Sequence, residues 1–206
     1  MPARLSLGAG LGAVVIGLVL GTLIGVVAGV FGGWTDMALM RFVDALMAMP
    51  GVLLALAIAA ALGPDLRNAM IAVGVAWVPT FARLVRANVL QVERAAYVEA
   101  AVASGAGRPR LVARHVLPNA LPSVVVLASL SLAGTILAGT ALSFLGLGPQ
   151  PPTPEWGAML SQSRQFMRLA WWTMAAPGLA IAVTILAANL LGNGLRDLLD
   201  PRLRAR

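Results

Sequence analysis

The stretch GLGAVVIGLVLGTLIGVVAGVFGG, residues 10–33, holds neither a charge nor a proline, and the uncharged run around it extends over residues 5–35. A helix needs about 20 apolar residues to cross a hydrocarbon core of about 30 Å. In lipid the backbone must satisfy its own N–H and C=O groups, so such a run reads as one transmembrane helix. Gly17, Gly21, Gly25 and Gly29 recur every fourth residue and share one face of that helix. Four small residues in register let a second backbone come close, which makes them a helix-packing surface. Glycine is also frequent in membrane helices generally, and the spacing does not say whether the partner helix belongs to this chain or to another.

The rest of the chain has the same character. Of its 206 residues 59% are hydrophobic and only 11% charged, with a mean hydropathy of +0.87, whereas soluble domains carry roughly 25% charged residues. This composition is that of an integral membrane protein. All 15 basic residues are arginine, against 8 acids, and they collect in a few polar segments. No amphipathic basic face or aromatic stacking platform accompanies them, which argues against nucleic acid and leaves membrane lipid as the surrounding partner. With no cysteine and His115 as the single histidine, the chain has neither disulfide nor cysteine nucleophile, and no metal site is assigned.

Uncharged runs predict five spans, at about residues 8–30, 44–63, 69–89, 119–142 and 173–195, in an all-α, polytopic helical membrane protein of one domain over residues 1–206. Arg83 and Arg86 snorkel from the end of the third, and the pair Trp171 and Trp172 anchors the fifth at an interface. Two polar segments are left over, at 93–118 and 143–172. Alternation puts Arg41, Arg83, Arg86, Arg94, Arg108, Arg110, Arg114, Arg196, Arg202, Arg204 and Arg206 on the side of the first segment. Arg4, Arg67, Arg164 and Arg168 fall on the other. The positive-inside bias makes the richer side cytoplasmic, with the C-terminus inside and the N-terminus outside. Arg4, just before the first span, runs against that orientation.

Within 93–118, the alanine-rich segment 93–104 has good helix propensity. Gly105 and Gly107 break it, Pro109 suits the first turn of a second short helix, and Pro118 and Pro122 mark the passage into the fourth span. The result is an elbow at the cytoplasmic surface, small-residued on one face and basic on the other. Composition alone also allows a plain basic loop that obeys the topology rule.

The residues themselves decide between the two. Glu99-Ala100-Ala101, then Gly105, then Val116-Leu117-Pro118 resemble the EAA loop of the permease subunits of ATP-binding-cassette importers. In that family the loop is the coupling helix, seated in a groove of the cytoplasmic ATPase. His115 stands where the general pattern has isoleucine, and RHVLPNALP, residues 114–122, is similar to the form found in the dipeptide and oligopeptide branch. Residues 141–181, 189–204 and 29–60 are similar to the C-type permease of the peptide and nickel importers, so the resemblance covers nearly the whole chain. Family members usually begin with one more span. The resemblance therefore implies either a truncated or misassigned start, which also accounts for Arg4, or a shortened subunit working with five spans.

The resemblance implies a type I importer permease core in a bacterial inner membrane. It would form half of the pathway for di- or oligopeptides, with nickel or another small polar solute as the alternative. Its implied partners are a second, B-type permease, two ATPases that bind the ATP and Mg, and an extracytoplasmic solute-binding protein. The subunit itself would hold no cofactor and perform no chemistry. Coupling is implied for Glu99, Ala100, Ala101, Gly105, Val116, Leu117 and Pro118, with Glu99 as the charged contact to the ATPase or a cap on local backbone.

Ser129, Ser131, Thr135 and Thr140 are candidates to line the pathway, against the alternative that they bond to their own helix carbonyls. The prolines of 149–154 preclude a long helix there, while residues 156–168 suit a short interfacial one, either part of the binding-protein surface, a scoop folded toward the pathway, or a plain connection. Three other functions fit less well. A serine protease needs a histidine within the membrane; an ion-driven carrier needs deep ionisable groups, whereas Asp44 and Asp65 lie at span ends; a membrane scaffold gives no reason for the elbow.

Overall fold

Helices α1 (Pro2–Phe31) and α4 (Leu66–Glu93) form the tightest seam of a computed structural model that describes residues 2–199. Gly17, Gly21, Gly25 and Gly29 all face α4, so their partner helix lies in the same chain. A β-carbon at Gly21 would lie 2.5 Å from Cβ of Phe81 and 2.8 Å from the carbonyl oxygen of Val78, and one at Gly25 2.6 Å from the carbonyl oxygen of Ala82. From the other side, one at Gly74 would lie 2.7 Å from Cβ of Ile16. The opposite face of α1 carries an exposed stripe at the same spacing: Leu11, Val15, Val19, Leu23, Val27 and Phe31. With apolar residues all round, side-chain size rather than polarity selects which face is buried.

The expected second span, 44–63, is not one helix. The chain forms α2 (Gly33–Met47) and α3 (Gly51–Leu62), bent by 89° at the break between them. Pro50 sits at the N-cap of α3 in an extended conformation, φ −52° and ψ 131°, and the residue before a proline is driven from the helical region. Twelve residues of α3 rise only about 18 Å, so α3 reaches from mid-bundle to one end while α2 runs aside at the other. Four helices are long and apolar enough to cross a membrane, and five spans result if the bent pair is counted as one.

Beyond α4 the chain makes two short helices, α5 (Ala96–Ala103) and α6 (Arg108–Leu111). It then enters α7 (Leu117–Phe144) through a widened π turn, Val112–Val116. Pro118 supplies the reason: it has no N–H for the carbonyl of Arg114 and its ring crowds that carbonyl. The amide of Leu117 accordingly bonds back to Val112, five residues away. At the far end, α8 (Trp156–Ser163) precedes α9 (Trp172–Leu199), which lies against α7 and α8 and keeps most of its surface exposed. The tail arginines Arg202, Arg204 and Arg206 lie outside the described residues.

Candidate functional site

The elbow is held in shape by its own backbone. Helix α5 ends in a Schellman arrangement: the amide of Ala106 donates to the carbonyl of Ala101 at 3.0 Å and that of Gly105 to Val102 at 2.9 Å. Gly105, at φ +83°, supplies the left-handed turn this needs. Gly107 does not share that role; its carbonyl accepts the amide of Leu111 at 3.1 Å and so starts α6. Glu93, expected within the elbow helix, closes α4 instead, with Arg94 and Ala95 as the joint before α5.

A valine-rich seat fastens the elbow to the bundle. Val98, Leu111 and Val116 are buried together with Val30 of α1, Phe81, Val85 and Val89 of α4, and Val124 of α7. Ala101 and Ala106 pack against this cluster from the elbow side. Glu99, Ala100, Val102 and Gly105 face outward, as do Arg110 and Arg114. Of the seven residues singled out for coupling, five therefore divide cleanly: Glu99, Ala100, Gly105 and Pro118 are exposed, and Val116 is fully buried. Leu117 and Ala101 are half-buried. Val116 acts on the chain's own helices, so a partner reaches it only through them. Val98 and Leu111 were not singled out from the sequence, although Ala95, Val98 and Ala101 at spacing three mark an inward face.

Two further contacts bind the elbow end together. Asn119 Nδ2 donates to the carbonyl of His115 at 2.6 Å, inside the stretch that the prolines disturb, and Asn88 Nδ2 of α4 donates to Ser123 Oγ of α7 at 2.6 Å. His115 lies 6.1 Å, centroid to centroid, from the ring of Tyr97. On the neighbouring side α2 is clamped to α4 by charge. Arg86 donates bidentately to Asp36 through Nε and Nη2, with Nη2 at 2.6 Å from Oδ2, and Arg83 Nη2 donates to Asp44 Oδ1 at 2.6 Å. Asp44, expected at an interface, thus has a specific partner.

Of the four hydroxyls proposed for the pathway, three return to their own helix. Ser129 donates to Val126, Ser131 to Ala128 and Thr135 to Leu132, with Thr135 also 3.2 Å from the carbonyl of Gly10 in α1. Ser131 and Thr135 are buried between helices and face no opening of the α3–α4–α7 cleft described below. Thr140 borders a void of about 20 Å³ beside Ser6 and Glu155. There Glu155 caps α8 by accepting the Ala158 amide at 2.9 Å, and accepts the Ser6 hydroxyl at 3.0 Å, tying the start of α1 to the 145–172 segment. The larger opening is a cleft of about 350 Å³ between α3, α4 and α7, bordered by Gly51, Trp77, Thr80 and Gly134.

The profile of the family described as binding-protein-dependent transport system inner membrane component matches residues 21–205. The dipeptide transport system permease protein DppC of Alkalihalophilus pseudofirmus is 47% identical over 203 residues, 98% of this chain and 67% of that protein. The glutathione transport system permease protein GsiD of Pectobacterium atrosepticum is 46% identical over 205 residues, 100% of this chain and 68% of that protein. Among solved structures, a chain of the inward-facing MetNI methionine ABC transporter superposes with a TM-score of 0.76, at 18% identity, over 97% of this chain and 94% of that one. A chain of an amino acid ABC transporter crystallised with histidines gives 0.69 at 16% identity, over 96% and 90%. At these identities the structural likeness concerns the fold.

Proposed function

The chain belongs to the family of binding-protein-dependent transport system inner membrane components, a family of multi-pass transport permeases, and on that premise we propose that it carries short peptides across a bacterial inner membrane. It acts as one of two permease subunits, with its elbow seated on a cytoplasmic ATPase. A peptide or peptide-like solute is supported by the two relatives named for dipeptide and glutathione transport.

The observation that carries the coupling role is the division of the elbow into an outer and an inner face. Glu99 and Ala100 point away from the chain, while Val98 and Val116 are sunk into α1, α4 and α7. A force applied to the outer face is therefore delivered to those helices as a unit. Closure of two ATPases on ATP and Mg, which this reading assigns to the partner subunits, pulls the elbow, and α4 and α7 tilt with it. Tight packing makes the response a switch between two arrangements rather than a continuous bend. The clamp of Arg83 and Arg86 on α2 carries the same motion to the broken helix. The elbow end and the C-terminal end of α9 are then cytoplasmic, and the 145–172 segment meets the solute-binding protein outside.

The test is co-expression with the second permease, the two ATPases and the binding protein, followed by purification from membranes. A four-subunit complex is expected, with Glu99→Lys and Gly105→Pro releasing the ATPases and leaving the permease pair intact. Retention of the ATPases by both variants would refute the elbow as their seat.

A further inference from the structure

The cleft between α3, α4 and α7 has features that packing does not explain. Its roughly 350 Å³ lies in the range of small-molecule sites. It adjoins a second opening of about 230 Å³ that shares Gly51, Ala76 and Thr80 with it and continues past Pro50 and Pro79 to Met47. Together they follow the 89° break of α2 and α3 from the middle of the bundle toward the elbow end. Among the described residues no charged side chain borders either opening. Arg83 and Arg86, the nearest along α4, are engaged by Asp44 and Asp36.

Two polar groups on the cleft wall are unused. Neither the hydroxyl of Thr80 nor the indole N–H of Trp77 makes a hydrogen bond among the described residues. Gly134 makes room for the indole: a β-carbon there would lie 2.8 Å from the ring. A neighbouring apolar helix laid into the cleft would leave both donors unmatched in a dry contact, at a free-energy penalty. A peptide main chain offers carbonyl acceptors to both.

We infer that this cleft is where a short peptide touches this subunit in transit, Thr80 and Trp77 donating to its main-chain carbonyls. This rests on the peptide reading above and adds a consequence. Every peptide carries the same main chain, and a wall without charge does not distinguish acidic from basic side chains, so this half of the pathway passes peptides irrespective of side-chain charge.

This sequence contains no cysteine, so labelling of an introduced one can be read on this subunit in the assembled four-subunit complex with its binding protein. Dialanine is the solute, and the unchanged complex treated with the same reagent gives the background from partner thiols. Import by the unchanged chain is measured first, and its absence would overturn the peptide reading and this inference with it. Thr80→Cys is then compared with Thr135→Cys for reaction with a thiol reagent. A wetted cysteine is expected to react about tenfold faster, the difference that one unit of pKa elevation by burial makes in thiolate. Labelling at Thr80→Cys should be slowed by dialanine with binding protein, and should block import. Ala138→Cys, also on the cleft wall, supplies the same comparison if Thr80→Cys does not assemble. Separately, Thr80→Val should lower import of neutral, acidic and basic dipeptides by one common factor. The inference is overturned if the cleft cysteines react no faster than Thr135→Cys while the unchanged complex imports dialanine, which would mean a partner helix fills the cleft. Loss confined to one charge class would also overturn it.

Discussion

Replacing Gly21 by alanine isolates the seam on which the bundle is built. The new methyl would stand 2.5 Å from Cβ of Phe81, 2.8 Å from the carbonyl oxygen of Val78 and 3.1 Å from the amide nitrogen of Ala82. None of these atoms can rotate away, and truncating Phe81 to alanine leaves its Cβ in place. Relief requires α1 and α4 to separate, which also loosens the contacts of Gly17, Gly25 and Gly29. Overpacking of this kind costs about 1–3 kcal/mol. The same replacement at an open helical site stabilises by roughly 0.5–1 kcal/mol. Gly8, on the same helix, has nothing within 4 Å of the new methyl. Gly10 is intermediate, because the atom met at 2.6 Å is Cγ1 of the Ile136 side chain, which can shift. Thermal unfolding of the detergent-purified complex, followed by tryptophan fluorescence, should rank Gly8→Ala above Gly10→Ala above Gly21→Ala. The outer pair should differ by about 1.5–4 kcal/mol. Equal stability of Gly8→Ala and Gly21→Ala would refute the claim that α1 and α4 meet through their glycines.

Other substitutions test other contacts. Val98→Ala and Val116→Ala each empty a buried position in the seat and should cost about 2 kcal/mol; in the assembled complex ATP hydrolysis should persist while import falls. Asp36→Ala should destabilise more than Asp44→Ala, because the Arg86 pair is bidentate and half-buried whereas the Arg83 pair is exposed, and an exposed pair contributes about 0–1 kcal/mol; a difference in unfolding midpoint checks the order. Glu155→Ala removes both the cap of α8 and the bond to Ser6, a loss of about 1–2 kcal/mol, and should speed tryptic cleavage after Arg164 and Arg168.

Much of the fold was legible because the membrane imposes a simple rule on composition. The uncharged runs around α1, α4, α7 and α9 mark helices directly, and the glycine register of α1 points to a close neighbour. The break at residues 48–50 was not legible, since ALMAMPGVLLALA reads as one apolar run and Pro50 suits either the first turn of a helix or a bend. Asp44, Arg83 and Arg86 were visible as charges near span ends, whereas Asp36 was not singled out, and the pairing of the four depends on α2 folding back along α4. The elbow's outer face was legible from its motif. Its seat was harder to see, because Val98 and Leu111 are two apolar residues among many, and burial among them is decided by tertiary packing. For the hydroxyls of α7 two readings were open, a polar wall of the pathway or bonds to the helix's own carbonyls; Ser129, Ser131 and Thr135 make such bonds, each to a carbonyl three residues back.

The most direct measurement is ATP-driven uptake of a labelled dipeptide into vesicles that hold the four-subunit complex. Accumulation against a gradient is expected when ATP and the binding protein are both supplied, each on its proper side, and is expected to vanish on omission of either or on Glu99→Lys. Uptake that proceeds without ATP, or at an unchanged rate with Glu99→Lys, would contradict the assignment of the elbow as the link between ATP and the pathway.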